Sequence, residues 1–184
     1  LESRDGISQV MTIDALGKAA NPDVVRKLLA AGVDIGNNGE QMREAFAKFD
    51  LIKIRNMSGD PPETYELEYF IRGLERIAGK KEPVQRGYHL AQITLGADYP
   101  RLSPQCKMLT PIFHPNFEPA TICIGDHWTA GERLVDLAVR IGEMIAFQAY
   151  NIKSPLDGEA AMWADLNLRS LPIDDRNLHP PELD

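Results

Sequence analysis

The chain has 184 residues, of which 43% are hydrophobic, and its 27 acidic residues against 20 basic ones give a net charge of -7. This length and apolar content suit one domain with its own core, and the negative charge argues against a surface dedicated to nucleic acid or anionic membrane. No stretch approaches the ~20 apolar residues that cross a bilayer, and no signal pattern is present, so we expect a cytoplasmic protein.

Residues 1–38 form a predicted N-terminal helical arm that ends in a breaker-rich stretch around Gly36 and Gly39. Asn21 can serve as an N-cap with Pro22 at the first helical position, and apolar residues recur after them at helical spacing. We therefore expect one short helix in this arm, which would dock against the main domain or a partner.

The next segment, residues 39–170, has the pattern of an α+β domain. A helix is predicted over Gln41 to Phe49, and strands are predicted at residues 51–54, 65–71, 88–95 and 105–109, where apolar and polar residues alternate or nearly alternate. Four strands in succession with short connections favour a four-stranded antiparallel meander.

Periodicity disappears between Pro111 and Thr129, and long irregular segments inside compact domains are usually functional. A long central helix is predicted over residues 131–150, and a C-terminal helix over residues 156–168 follows the break at Ser154-Pro155. The Pro- and Asp-rich tail, residues 171–184, is predicted to fray.

The irregular segment carries the most informative motif of the chain. His114-Pro115-Asn116 is followed seven residues later by Cys123, and Trp128 comes five residues after the cysteine. With Asn151-Ile152-Lys153-Ser154-Pro155-Leu156 and the order of elements, this motif resembles the ubiquitin-conjugating enzyme family from about Gln41 to Leu168. The resemblance implies the UBC-like fold.

The resemblance also implies an activity. Cys123 would accept the C-terminus of ubiquitin or a ubiquitin-like protein from an activating enzyme as a thioester, and would pass it to an amine. Sulfur suits this role because it is both a good nucleophile and a good leaving group. The implied partners are the ubiquitin-like protein, the activating enzyme, and a ligase or target protein. No cofactor is expected, and no metal, because the histidines and cysteines lack paired ligand spacing.

Four further residues are candidates for the site. The Asn116 amide can donate to the oxyanion that forms as an amine attacks the thioester, and the family resemblance allows that role or the bracing of the loop. Ser154 matches a position where the family carries Asp or Ser, and an acid there helps to deprotonate an incoming lysine. Asp126 is a possible substitute for that acid. The resemblance gives His114 a bracing role in preference to that of a catalytic base.

Purely structural roles for the same residues remain open as alternatives. Cys123 can be a core thiol, Asn116 a turn residue, and Ser154 an N-cap before Pro155. Cys106, between strand residues, is predicted to be a buried thiol, and both cysteines are expected to be reduced.

Two other functions compete with the transferase. One is a catalytically silent module that binds a ubiquitin-like protein or scaffolds a conjugation complex, although the retained Cys123 weighs against it. The other is a thiol hydrolase that uses Cys123 with His114 or His127. The family's usual glycine before the cysteine is replaced by Glu118-Pro119-Ala120-Thr121, and its ligase-contacting positions read Arg101 and Thr129-Ala130-Gly131.

Overall fold

The structure is a computed structural model, and it describes residues 37–125 and 128–181. The helix predicted in the N-terminal arm lies outside these residues. The elements, in chain order, are α1 (Asn38–Phe46), β1 (Ile52–Gly59), β2 (Pro62–Tyr69), β3 (Gly73–Glu75), β4 (Val84–Arg86), β5 (His89–Thr94), β6 (Gln105–Met108), β7 (Phe117–Glu118), β8 (Thr121–Ile122), α2 (Leu134–Ile145), α3 (Gly158–Leu166) and a 3₁₀ turn (Leu168–Ser170). None of the described helices is long and apolar enough to span a membrane.

The main sheet has four antiparallel strands in the order β1-β2-β5-β6. Leu67 of β2 pairs with Ala91 of β5, and Ile93 of β5 pairs with Cys106 of β6. Alternate residues of β2 are fully buried, as the two-residue period of a strand requires when one face covers a core. The predicted four-stranded meander and the α+β class are confirmed.

Two small hairpins were absent from the prediction. β3 and β4 pair with each other between β2 and β5, and β7 pairs with β8 inside the segment predicted to be irregular. Strands of two or three residues are too short to show an alternating pattern in the sequence. The second hairpin positions the thiol, because Cys123 follows β8 directly.

Helix α1 begins and ends about three residues earlier than predicted. Met42 and Phe46 bury their side chains against the sheet, whereas Phe49 packs on the same core from the turn that follows the helix. The ring centroids of Phe46 and Phe49 lie 6.3 Å apart. The apolar contact of Phe49 was therefore predicted correctly, but its helical conformation was not.

Helix α2 packs across the sheet and is shorter than the predicted span of residues 131–150. Nine of its twelve residues are buried. The helix stops because Phe147 adopts a left-handed backbone with φ of 61°, a conformation that costs a non-glycine residue of order 1 kcal/mol or more. Burial of its ring against His114 and Trp163, with centroids at 4.4 and 6.4 Å, holds it there.

Helix α3 begins where Asp157 caps it. The side chain of Asp157 accepts a hydrogen bond of 2.9 Å from the main-chain N–H of Ala160. Ala160 and Ala164 face a second apolar cluster that includes Phe113, Phe147 and Ile173. This cluster joins α3 to the segment that carries the His-Pro-Asn motif.

The prediction that the C-terminal tail frays was wrong for residues 171–181. Asp174 and Leu178 are 0% and 1% exposed. The Asp174 carboxylate accepts bonds from the main-chain N–H of Arg72, at 2.8 Å, and from the Arg176 side chain, at 2.6 and 2.9 Å. The sequence pattern missed this because one of the contacts, that of Arg72, comes from a residue about a hundred positions away.

Candidate active site

Cys123 is an exposed thiol at the end of the β7–β8 hairpin. Its main-chain N–H donates a 2.9 Å hydrogen bond to the carbonyl oxygen of Asn116, so the thiol is fixed relative to the His-Pro-Asn turn. Cys106 is buried and free, as predicted, and burial raises the pKa of its thiol to about 12. The fold therefore exposes the Cys123 thiol to solvent and buries the Cys106 thiol.

The Cys123 thiol opens onto a groove of about 370 Å³. Its walls come from three parts of the chain: the segment 116–125, helix α2, and the turn at residues 149–154. The residues used below to describe its chemistry are Asn116, Cys123, Arg140, Tyr150, Asn151 and Ser154.

Asn116 is 4% exposed, and its side-chain amide is held at both ends by one residue. Nδ2 donates to the carbonyl oxygen of Asn151 at 2.8 Å, and Oδ1 accepts from the main-chain N–H of Asn151 at 2.8 Å. A side-chain amide nitrogen carries two hydrogens, so one Nδ2 hydrogen has no role in this pairing. Asn116 therefore braces the groove and keeps a second donor hydrogen.

His114 lies beneath the loop and is 0% exposed. Its Nδ1 accepts a 3.1 Å hydrogen bond from the main-chain N–H of Asn116, which places the ring proton on Nε2. Its ring lies between those of Phe117 and Phe147, with centroids at 4.7 and 4.4 Å. Burial lowers the pKa of His114 to about 3, so the ring is neutral at physiological pH and acts as a positioning residue.

Ser154 is exposed and lines the groove, so it lies on the same cavity as Cys123. The turn that carries it is tied to the His-Pro-Asn motif, because the N–H groups of Leu156 and Asp157 both donate to the carbonyl oxygen of Pro115, at 2.7 and 3.0 Å. Asp126, the other predicted acid, lies outside the residues that the structure describes.

Trp128 connects the cysteine loop to the turn at residues 98–100. Its Nε1 donates to the carbonyl oxygen of Pro100 at 2.8 Å, and its ring packs against Tyr99 with centroids 5.8 Å apart. The Tyr99 hydroxyl in turn accepts a 3.5 Å bond from Asn38 at the start of α1. The loop is thereby anchored to the N-terminal end of the described domain.

Sequence reasoning missed Arg140 and Tyr150, which also line the groove. Arg140 forms a polar stripe on α2 with Asp136 and Glu143, at positions i, i+4 and i+7, and such a stripe normally faces solvent. The sequence feature that could have indicated Arg140 is its position as the one basic residue of a mostly apolar helix. Its role depends on which loop covers the stripe, and only the fold decides that.

Within residues 37–125 and 128–181, no cluster of three or more His, Cys, Asp or Glu side chains could hold a metal ion.

The candidate site therefore consists of an exposed thiol in an α+β domain, beside a groove braced by a buried asparagine. Residues 57–170 match the family model of the ubiquitin-conjugating enzymes, and this match covers more than half of the chain. The protein belongs to the ubiquitin-conjugating enzyme family. Its members act in the conjugation of ubiquitin-like proteins.

A curated relative is the SUMO-conjugating enzyme UBC9 of Caenorhabditis elegans, which is 28% identical over 91 residues. That match covers 46% of this chain and 54% of the relative, so the chain spans about half the length of this relative.

One solved structure of a ubiquitin-conjugating enzyme shares the fold. A protein described as a novel ubiquitin-conjugating enzyme has a TM-score of 0.51 at 20% identity, covering 72% of this chain and 84% of its own. The E2 domain of a Toxoplasma gondii ubiquitin-conjugating enzyme has a TM-score of 0.48 at 18% identity, covering 71% and 89%.

Proposed function

We propose that the protein is a ubiquitin-conjugating-type transferase in which Cys123 carries a ubiquitin-like protein as a thioester. The observation that carries this proposal is the exposed Cys123 thiol in a groove whose opposite wall is fixed by the Asn116–Asn151 amide pairing. A cysteine whose only role is core packing would be buried, and it would not line a groove open to solvent.

In the first step, the Cys123 sulfur attacks the thioester carbonyl carbon at the modifier's C-terminus. A C–S bond to Cys123 forms, the C–S bond to the activating enzyme breaks, and that enzyme's thiol leaves. In the second step, the nitrogen of an acceptor amine attacks the same carbon. A C–N bond forms, the Cys123 thiolate leaves, and the amine loses a proton to a base or to water.

When the amine attacks in the second step, negative charge develops on the former carbonyl oxygen. The second Nδ2 hydrogen of Asn116 is a suitable donor for that oxygen, because its amide plane is already fixed by Asn151 and need not reorganise. Ser154, at the same groove, can accept a hydrogen bond from the incoming amine, but it is a weaker base than a carboxylate.

The test is a loading reaction with ATP, an activating enzyme and its modifier, run in parallel for SUMO and for ubiquitin. SUMO is included because the UBC9 relative is a SUMO-conjugating enzyme. We expect an adduct that disappears under a thiol reductant and that Cys123→Ala abolishes. Cys106→Ala is the matched control, since this buried thiol should be dispensable for loading.

Absence of an adduct with either modifier, while each activating enzyme charges a known carrier, would contradict the proposal. Binding of a modifier without any adduct would favour the silent module. Rapid release of free modifier from the adduct without an added amine would favour the hydrolase.

A further inference from the structure

Arg140 brings a cation to the wall of the Cys123 groove. Its side chain is 27% exposed, and its Nη2 lies 2.9 Å from Oε1 of Glu132, which is 14% exposed. Arg140 lines the groove, whereas Glu132 is not among the residues that line it.

The guanidinium is not satisfied by this pairing. Nε of Arg140 is buried without a hydrogen-bond partner within the described residues, and Nη2, also buried, has only the contact with Glu132 at ion-pair distance. Buried donors in native proteins are nearly always paired, and an unpaired one is costly. An unpaired donor beside a groove therefore indicates that an acceptor is supplied when the groove is filled.

The chemistry of the groove's occupant follows from the function proposed above, on which this inference rests. The C-terminal segment of a modifier attached to Cys123 must leave the thiol through the groove, and an extended peptide presents a carbonyl oxygen at every residue. Carbonyl oxygens are acceptors that a guanidinium can take without neutralising its charge.

We propose that Arg140 is a substrate-binding residue that donates hydrogen bonds to main-chain carbonyls of the modifier's C-terminal segment. Glu132 holds the guanidinium at the groove while it is empty, and the side chain turns from this carboxylate toward the peptide when Cys123 is loaded. Burial raises the pKa of Glu132, which is consistent with a carboxylate that is itself incompletely solvated.

A disulfide exchange measurement tests this without the conjugation cascade. The wild-type protein is equilibrated with the symmetric disulfides of two thiols: acetyl-Gly-Gly-Gly-cysteamine, which offers only main-chain carbonyls, and 2-hydroxyethyl thiol, which offers none. The Cys123 thiolate attacks one sulfur of a probe disulfide, a mixed disulfide forms, and the second probe thiol leaves. Intact mass gives the ratio of the two adducts. Cys106 does not interfere because it is buried.

We expect the wild-type protein to prefer the peptide probe by about three- to ten-fold, which corresponds to the net contribution of about one ordinary hydrogen bond. Arg140→Gln should abolish the preference. Arg133→Gln is the matched control, since it removes the same charge from a residue that pairs with Asp136 at the exposed start of α2, and it should keep the preference.

A preference that is equal in Arg140→Gln and wild type, or that Arg133→Gln loses equally, would overturn the proposal. If Arg140→Gln does not fold because Glu132 is left unpaired, the double variant Glu132→Gln, Arg140→Gln removes both charges and should also show no preference. Glu132→Gln alone retains the guanidinium and should retain the preference.

The loading reaction separates this inference from the proposed function. If Cys123 loads normally but the probe preference does not depend on Arg140, the inference fails and the transferase stands. If Cys123 does not load but the preference depends on Arg140, Arg140 binds peptide carbonyls as proposed and the transferase function is contradicted.

Discussion

The side-chain amide of Asn116 and the main chain of Asn151 are joined by two hydrogen bonds of 2.8 Å, one in each direction. The main chain of Asn116 also accepts the N–H of Cys123 at 2.9 Å. One residue therefore fixes the thiol on one side of the groove and the turn at residues 151–154 on the other. Bracing and oxyanion donation, which the sequence leaves as alternatives for Asn116, are compatible in this geometry.

Asn116→Ala should slow transfer from Cys123 to an amine by about 10²–10³, the usual effect of losing one oxyanion donor, while most of the Cys123 loading is kept. Single-turnover rates of loading and of discharge measure the two steps. Asn151→Ala is the control, because Asn151 pairs with Asn116 through its main chain and the pairing survives the substitution. Equal slowing of both steps by Asn116→Ala would contradict the donor role.

The two thiols should differ in reactivity toward iodoacetamide at pH 8. The thiolate is the reactive form, and burial that raises the pKa of Cys106 to about 12 leaves almost none of it, whereas Cys123 is exposed. We expect one adduct on the native protein, none on Cys123→Ala, and two after unfolding in urea. Two adducts forming at similar rates on the native protein would contradict the burial of the Cys106 thiol.

Stability should fall on mild acidification. Burial lowers the pKa of His114 to about 3 and of His89 to about 4, both below the ordinary value of 6.5. Between pH 6.5 and 4 the unfolded chain binds protons that the folded chain does not, so the free energy of unfolding decreases as pH falls. The slope is at most about 1.4 kcal/mol per pH unit for each histidine.

Urea unfolding at several pH values between 7 and 4.5 measures this slope. His89→Gln should reduce this slope, because it removes one of the two buried rings. A free energy of unfolding that stays constant over this range would show that the two buried rings are protonated in the folded protein.

Asp174→Asn should release the C-terminal segment. The carboxylate accepts from Arg72 and Arg176, and an amide would place an N–H against one of these donors, at a cost of about 1–3 kcal/mol. Hydrogen exchange at Ile173, whose N–H donates to the carbonyl oxygen of Ala146 at 2.9 Å, should accelerate. Asp175→Asn is the matched control, since its side chain is 84% exposed. Similar exchange rates in both variants would argue against Asp174 as the anchor.

The sequence predicted the main architecture because its signals are local. Alternating residues in β2 identify a strand with one buried face, and the apolar stripe of α2 identifies a helix over that face. The C-terminal end of α2 was missed because Phe147 leaves the helical conformation and packs its ring against His114 and Trp163, and both partners lie on other segments of the chain.

For the site, the spacing of His114, Asn116 and Cys123 was enough to predict a reactive thiol with its loop. The residues that contact this motif in the folded protein could not be predicted from spacing. Asn151 pairs with Asn116 through main-chain atoms, which any residue type carries, and Arg140 resembles a solvated residue of an ordinary amphipathic helix.

The sequence by itself indicated the α+β class through its periodicity, and its motifs carried the resemblance that implied the family and the candidate site residues. The tertiary structure decided which thiol is exposed, which groups line its groove, and that residues 171–181 pack against the domain. The physical reason is that exposure, ion pairing and the partners of a main-chain amide arise from contacts between distant segments, and a linear pattern does not encode those contacts residue by residue.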